Sequence, residues 1–304
     1  MQHTVEGALI GAVEAGGTKF ILAIARADGT ILERARIATR GPGETFAEMA
    51  GWFEAAGARH GRIGAFGIGS FGPLGTDPAR ADYTTFATTP KPGWRGTSYR
   101  DALARFAAPI ALDTDVNAAA LGEWLAGAGR GCGSLAYTTI GTGIGTGVLK
   151  DGTPLAGFSH YESGHLLVRR DPARDPFAGI CPFHGDCLEG LASGSAIAAR
   201  WGRDLSSADP GQVALIAGYA AQLAAALVLL HRPERLIFGG GVMKAPGLLA
   251  TLRTRARAAL AGYIDEWNED LAARIVLPGL GDDAGITGAI ELGRRALSGR
   301  ARAN

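Results

Sequence analysis

The chain has 304 residues, 47% of them apolar and 19% charged, and a formal net charge of +1. That length suits two domains with separate cores. The balance excludes a disordered chain and leaves no broad electrostatic basis for binding nucleic acid or a membrane surface.

Residues 8–13 are apolar, Glu14-Ala-Gly-Gly-Thr-Lys19 follows, and 20–24 is apolar again. This reads as a β-hairpin whose glycine turn carries Thr18 and Lys19. Asp28-Gly29 marks the next turn and 31–38 a third strand. Apolar spacing predicts a helix over 45–57, then a buried strand at 63–68 ending in Gly69-Ser-Phe-Gly-Pro73. Residues 82–94 read as irregular, because their prolines and glycine forbid regular structure. A helix over 97–106 comes next, then a buried strand at 109–112 ending in Asp113-Thr-Asp-Val-Asn117, then a helix over 118–127. No basic n-region precedes the first strand, so no signal peptide is expected and the cytoplasm is the default location.

The pattern then restarts. A strand at 135–140, a glycine turn at 141–147, a strand at 148–150 and Asp151-Gly152 repeat the opening unit about 125 residues later, which predicts two related domains. Beyond it come helices over 194–203 and 210–230, a strand at 235–238 ending in Gly239-Gly-Gly-Val242, a helix over 245–261 and a strand at 275–277. A closing helix over 283–297 follows, with Asp282 or Asp283 as its cap. Residues 214–230 form the longest apolar run, but Gly218, Tyr219 and Gln222 interrupt it, as suits a core helix rather than a membrane span. The basic tail, 294–302, reads as solvated.

Cysteine is scarce, at three residues, yet Cys181 and Cys187 flank His184 at even spacing, and His165 precedes them. Two thiolates and two imidazoles make a closed tetrahedral set that suits structural zinc. A pair of buried cysteines beside unrelated histidines, or a Cys181–Cys187 disulfide, are the other readings.

There is no Walker motif, but a turn without Cβ atoms can bring backbone N–H groups and a threonine hydroxyl onto a phosphate. Gly16, Gly17, Thr18 and Lys19 form one such turn, and Thr142 and Gly143 lie in a second. Gly240 and Gly241, between a strand and a helix, suit close approach by a nucleoside. Asp113 and Asp115 follow a buried strand, where ligands sit in open α/β sheets. Either could accept a proton from an attacking alcohol, and either could simply cap the next helix.

In this order the motifs resemble the ROK family of sugar kinases, within the actin-like ATPase superfamily, from Gly11 to about Gly288. The residues that carry the resemblance are Glu14–Lys19, Asp113–Asn117 with Ala118-Ala-Ala-Leu-Gly-Glu123, Gly141–Gly147, Glu162-Ser-Gly-His165, Cys181–Glu189 and Gly239–Val242. Gly69–Pro73, Thr88–Trp94 and Cys181–Cys187 are the versions found in bacterial fructokinases. The resemblance implies an α/β fold of two actin-like (ribonuclease H-like) domains around a central cleft, 1–117 plus 285–304 and 118–284. It implies Asp115 as catalytic base, Glu162, His165, Glu189 and Thr114 as sugar-binding residues, and His165, Cys181, His184 and Cys187 as zinc ligands.

It further implies ATP and fructose as substrates, Mg²⁺ with the ATP, and a homodimer. Glu14 stands where the general family pattern has Asp, and Thr114 where it has Asn. The helix-turn-helix of the family's repressors is not expected, since the first strand starts so near Met1. A kinase for glucose, mannose or an N-acetylated hexose, a sugar sensor without turnover and a polymerising ATPase are the rival readings.

Overall fold

The computed structural model describes residues 7–89, 91–269 and 271–299. Pro90, within the irregular segment 82–94, and the tail beyond 299 lie outside the described residues. The chain divides into two units. One draws its described residues from Met1–Gly122, Ala156–His160 and Asp282–Asn304, the other from Glu123–Leu155 and Tyr161–Gly281.

The first unit opens with β1 (Leu9–Ala15), β2 (Lys19–Ala25) and β3 (Ile31–Ala38), followed by α1 (Pro42–His60), β4 (Ile63–Ser70), α2 (Tyr99–Leu103), β5 (Ile110–Thr114) and α3 (Asp115–Ala126). The strand order is β3-β2-β1-β4-β5. β1 to β3 form an antiparallel meander, and β4 and β5 run parallel to β1. β1 and β2 are near-continuous apolar runs because both faces are covered, whereas half the residues of the edge strand β3 are exposed. The helix expected over 97–106 is only one turn of α-helix, finished by a 3₁₀ turn at Ala104–Phe106.

The segment read as irregular is irregular in backbone yet central in packing. Phe86 and Trp94 are fully buried, and Trp94 meets Phe86 and Phe46 edge-on, with ring centroids 5.0 and 5.3 Å apart. Aromatic burial fixes a loop that its prolines keep out of helix and strand.

In the second unit, β6 (Ser134–Ile140), β7 (Ile144–Lys150) and β8 (Thr153–Pro154) are followed by α4 (Leu188–Ala192), α5 (Gly194–Trp201) and α6 (Pro210–His231). β9 (Arg235–Gly239), α7 (Leu248–Leu260), α8 (Leu271–Arg274) and β10 (Ile275–Val276) complete it. Its order, β10-β9-β6-β7-β8, has the same pairing directions as the first sheet, so the repeat seen in the sequence is a repeat of topology. The glycine stretch 141–147 is shorter as a turn than expected: Ile144 to Gly147 already belong to β7.

The long apolar helix α6 lies in this unit's core, with Ile216, Ala217 and Val228 fully buried. Asp209 and Gln212 form a capping box at its start, with Pro210 at the first helical position.

The closing helix, α9 (Ala284–Leu297), returns to the first unit and packs on β4 and β1. The approach is so close that a Cβ on Gly67 would overlap the Ala289 carbonyl oxygen and the Gly293 amide, so only glycine fits there. Asp283 sits at the N-cap position, but its side chain does not cap the helix. Its Oδ1 accepts a hydrogen bond from Arg34 Nη1 at 2.6 Å instead.

Candidate active site

In the first unit the β1–β2 turn is closed by the Gly16 amide donating to the Lys19 carbonyl at 2.9 Å and braced by the Thr39 hydroxyl on the Gly16 carbonyl at 2.8 Å. Gly17 and Thr18 are exposed, and nothing lies within 4 Å of where a Gly17 Cβ would be. The turn is therefore rigid at its base and open at its tip, as a backbone cradle for an anion requires.

Glu14 lies at the root of this turn. Burial pushes its carboxyl up from 4.5 to about 7, against Lys19 and Arg34 and with the Asp115 charge adding to the rise. Its Oε2 is buried with no hydrogen-bond partner. The close backbone of Gly285 and a hydrogen bond from the Ile286 backbone fix it in place.

Asp113 and Thr114 at the end of β5, and Asp115 at the start of α3, divide the work that the sequence left open between two aspartates. Asp113 Oδ1 accepts from the Thr114 amide at 2.8 Å and from Asn117 Nδ2 at 2.7 Å, and Asp113 is buried. Thr114 is the helix cap, its Oγ1 accepting from the Asn117 amide at 3.2 Å. Asp115 stands in the first turn of α3, half-buried, with Oδ1 on the Val116 amide at 2.9 Å. Asp113 is thus built into the scaffold, while Asp115 is the carboxylate that reaches solvent.

In the second unit Thr142 and Gly143 form the β6–β7 turn. Its backbone is tied to the start of α5 by the Gly194 amide on the Gly141 carbonyl at 2.6 Å and the Ser195 hydroxyl on the Thr142 carbonyl at 2.9 Å. Glu189, in the first turn of α4, leans on this turn: Oε2 accepts from the Ile144 amide at 2.8 Å, and a Cβ on Gly143 would stand 2.6 Å from the same oxygen. Gly240 holds φ +90° against the Ile140 backbone, a place no other residue fits without strain, and Gly241 beside it faces open space. Glu162 is exposed immediately before the 3₁₀ turn Ser163–His165.

His165, Cys181, His184 and Cys187 form a cluster whose donor atoms all lie within 4.8 Å of one another. His165 Nδ1 is 3.7 Å from Cys181 Sγ and 3.6 Å from Cys187 Sγ, and His184 Nδ1 is 3.6 Å from Cys181 Sγ. A tetrahedral centre with the usual metal–sulfur and metal–nitrogen lengths has edges of about 3.5–3.8 Å. The donor set therefore fits a metal ion, and all three cysteines are free thiols. The turn that aims these side chains is a tight backbone pair, Cys181 with Gly185, with Gly185 at φ +65°. Without a cation, burial pushes the Cys187 thiol up to about 11. His165 presents Nδ1 to the sulfurs, which leaves Nε2 for another partner.

Sequence reasoning passed over Glu123 as more than part of a motif. It is fully buried and accepts hydrogen bonds from the amides of Ala128, Gly279 and Leu280 at 2.6, 2.8 and 2.9 Å. A lone glutamate at the end of an alanine-rich helix carries no signal of three partners, two of them about 150 residues away.

Two sheets of one topology, each a three-stranded meander extended by parallel strands, with glycine turns at β1–β2 and β6–β7, define the actin-like ATPase class of α/β proteins. The ROK family pattern matches residues 10–296, and the chain belongs to the ROK family. It is 41% identical to a fructokinase of Zymomonas mobilis, over 93% of this chain and 96% of that one. Among solved structures it is similar to a ROK hexokinase of Thermus thermophilus (TM-score 0.75, 27% identity, 96% of this chain and 99% of that one). It is also similar to a ROK glucokinase of Streptomyces griseus in complex with glucose and AMPPNP (TM-score 0.72, 27% identity, 95% and 100% of the two chains).

Proposed function

We propose that the protein is an ATP-dependent fructokinase making fructose 6-phosphate. The observation that carries the reading is its 41% identity to a fructokinase over nearly the full length of both chains.

Asp115, the solvent-reaching carboxylate after β5, takes the proton of the sugar's primary hydroxyl as that oxygen attacks the γ-phosphorus and the bond to ADP breaks. Thr114, Glu162, His165 and Glu189 hold the sugar; Glu189 Oε1 and His165 Nε2 are the atoms left over from their scaffold contacts. Gly16, Gly17, Thr18, Lys19, Thr142 and Gly143 hold the phosphates, and Gly240 and Gly241 the nucleoside. Mg²⁺ enters with ATP and supplies charge neutralisation on the phosphates.

His165, Cys181, His184 and Cys187 would hold zinc in a structural role, fixing the orientation of His165 and the segment that carries Glu162. The enzyme is a cytoplasmic homodimer in this reading. A coupled assay of ADP release over a panel of hexoses tests it: fructose should give the highest kcat/KM, with mannose second. A higher value for glucose would make it a different ROK hexose kinase. Sugar binding without turnover would make it a sensor.

A further inference from the structure

The second unit carries a groove of about 880 Å³ that shares no residue with the candidate active site. It lies among segment 169–177, the end of α5, the first half of α6 and Arg255 of α7, and four arginines line it against three aspartates.

Arg200 is one of its lining residues, and its side chain is only 6% exposed. The guanidinium lies over Phe177 at 4.5 Å and Trp201 at 5.0 Å. Its Nη2 is 3.0 Å from Asp175 Oδ2, but off the N–H direction. That oxygen already accepts from the Tyr219 hydroxyl at 2.6 Å, and none of the three Arg200 nitrogens makes a hydrogen bond. Burying a guanidinium with its donors unspent is costly.

The neighbouring Arg170 shows what a purely structural arginine does in this segment: it donates to the Asp175 and Phe177 carbonyls at 3.0 and 3.1 Å and to Asp186 at 3.1 Å. At the rim, Arg169 and Arg255 are paired with no carboxylate among the described residues. A buried, pre-stacked guanidinium that is ion-paired with Asp175 yet spends none of its N–H groups in a hydrogen bond, flanked at the rim by two arginines without a carboxylate, suits the forked geometry of an oxyanion once the side chain turns toward the groove.

We infer that this groove binds a small molecule carrying a phosphate or carboxylate group, with Arg200 as the buried anchor and Arg169 and Arg255 closing on the anion from the rim. Arg170 links the groove's segment to Asp186, next to Cys187, so occupancy would also steady the loop that carries the metal cluster.

Isothermal titration of the full-length protein, saturated with ADP and fructose so that its kinase site is filled, tests this. The probes are inorganic phosphate, glycerol 3-phosphate and succinate. At least one should bind at one saturable site per chain, and comparing the phosphate and succinate arms tells which oxyanion the groove prefers. The double variant Arg169→Ser, Arg255→Ser should weaken that binding by about tenfold or more while its unliganded melting temperature stays that of wild type. Arg200→Met, which keeps the stacked volume, should abolish the binding if the variant folds. No saturable binding of any probe up to about 10 mM, or unchanged affinity in the folded double variant, overturns the inference.

Discussion

Replacing Glu14 by Gln should stabilise the nucleotide-free protein by about 3 kcal/mol at pH 8 and by under about 1 kcal/mol at pH 5. The carboxyl of Glu14 is held near 7 rather than 4.5, first by burial and then by the charge of Asp115, with Lys19 and Arg34 opposing. In the unfolded chain the group ionises near its ordinary value. Between pH 4.5 and about 7, then, the unfolded state gives up a proton that the folded state still holds.

Stability contributed by this group falls across that window and stays low above it. At about 1.4 kcal/mol for each pH unit, the rise from 4.5 to about 7 amounts to roughly 3 kcal/mol. Gln fills the same space and cannot ionise, so it escapes the cost. Urea unfolding of both proteins at pH 5 and pH 8, followed by far-ultraviolet circular dichroism, measures the difference. A stability gap of the same size at both pH values, or one that favours wild type at pH 8, would refute burial of an ionisable Glu14 as its source. Turnover should fall in the same variant, because Glu14 sits at the root of the β1–β2 turn.

Asp115→Asn should lower turnover by roughly 10²–10⁴-fold or more with little change in melting temperature; activity within about threefold of wild type would remove Asp115 from the proton transfer. Cys187→Ser should lower zinc content and raise the KM for sugar, with a smaller effect on nucleotide affinity. Metal analysis of protein purified without chelator checks the premise, and less than about one-tenth equivalent of zinc in fully active enzyme would contradict it.

The elements that repeat were legible in the sequence because periodicity and glycine turns are local signals. β1, β2, β4 and β6 are each apolar runs bounded by glycine, and the Asp-Gly turns recur with them. The Cys and His residues of the cluster were legible for a different reason: rare residue types at short spacing are informative even without a fold. What stayed hidden depends on partners distant in the chain. Nothing near Asp283 announces Arg34, 249 positions away, which draws its carboxylate off the helix end. Thr114 as cap, rather than Asp113 or Asp115, is settled by which side chain the backbone turns toward the Asn117 amide, and both residue types are good caps. Residues 156–160 group with the first unit, which no composition change marks.

The two sheets share a topology, so the place where they differ says what was added. In the first unit β3 ends at Ala38 and α1 begins at Pro42. At the equivalent point of the second unit β8 ends at Pro154 and the next α-helix begins only at Leu188. That interval holds Glu162, His165, Cys181 and His184, and Cys187 sits at its end, as the residue before α4. It is poorly supplied for holding itself together: Leu167 and Phe183 are 71% and 66% exposed, Ile180 is also exposed, and Pro172, Pro176 and Pro182 keep it from forming a helix. What it does bury is polar or sulfur-bearing, chiefly Cys181, Cys187 and Asp175. A segment with so little apolar burial cannot offset its own ordering entropy by packing alone. The Arg170 hydrogen bonds to Asp175, Phe177 and Asp186 supply part of the difference, and the structure contains the donors for a metal crosslink: His165 from the start of the interval lies within 3.7 Å of sulfurs from its end. A metal held there would fix His165 and, three residues before it, Glu162. A metal at this point would therefore be coupled by chain connectivity to Glu162 and His165, the residues proposed to hold the sugar.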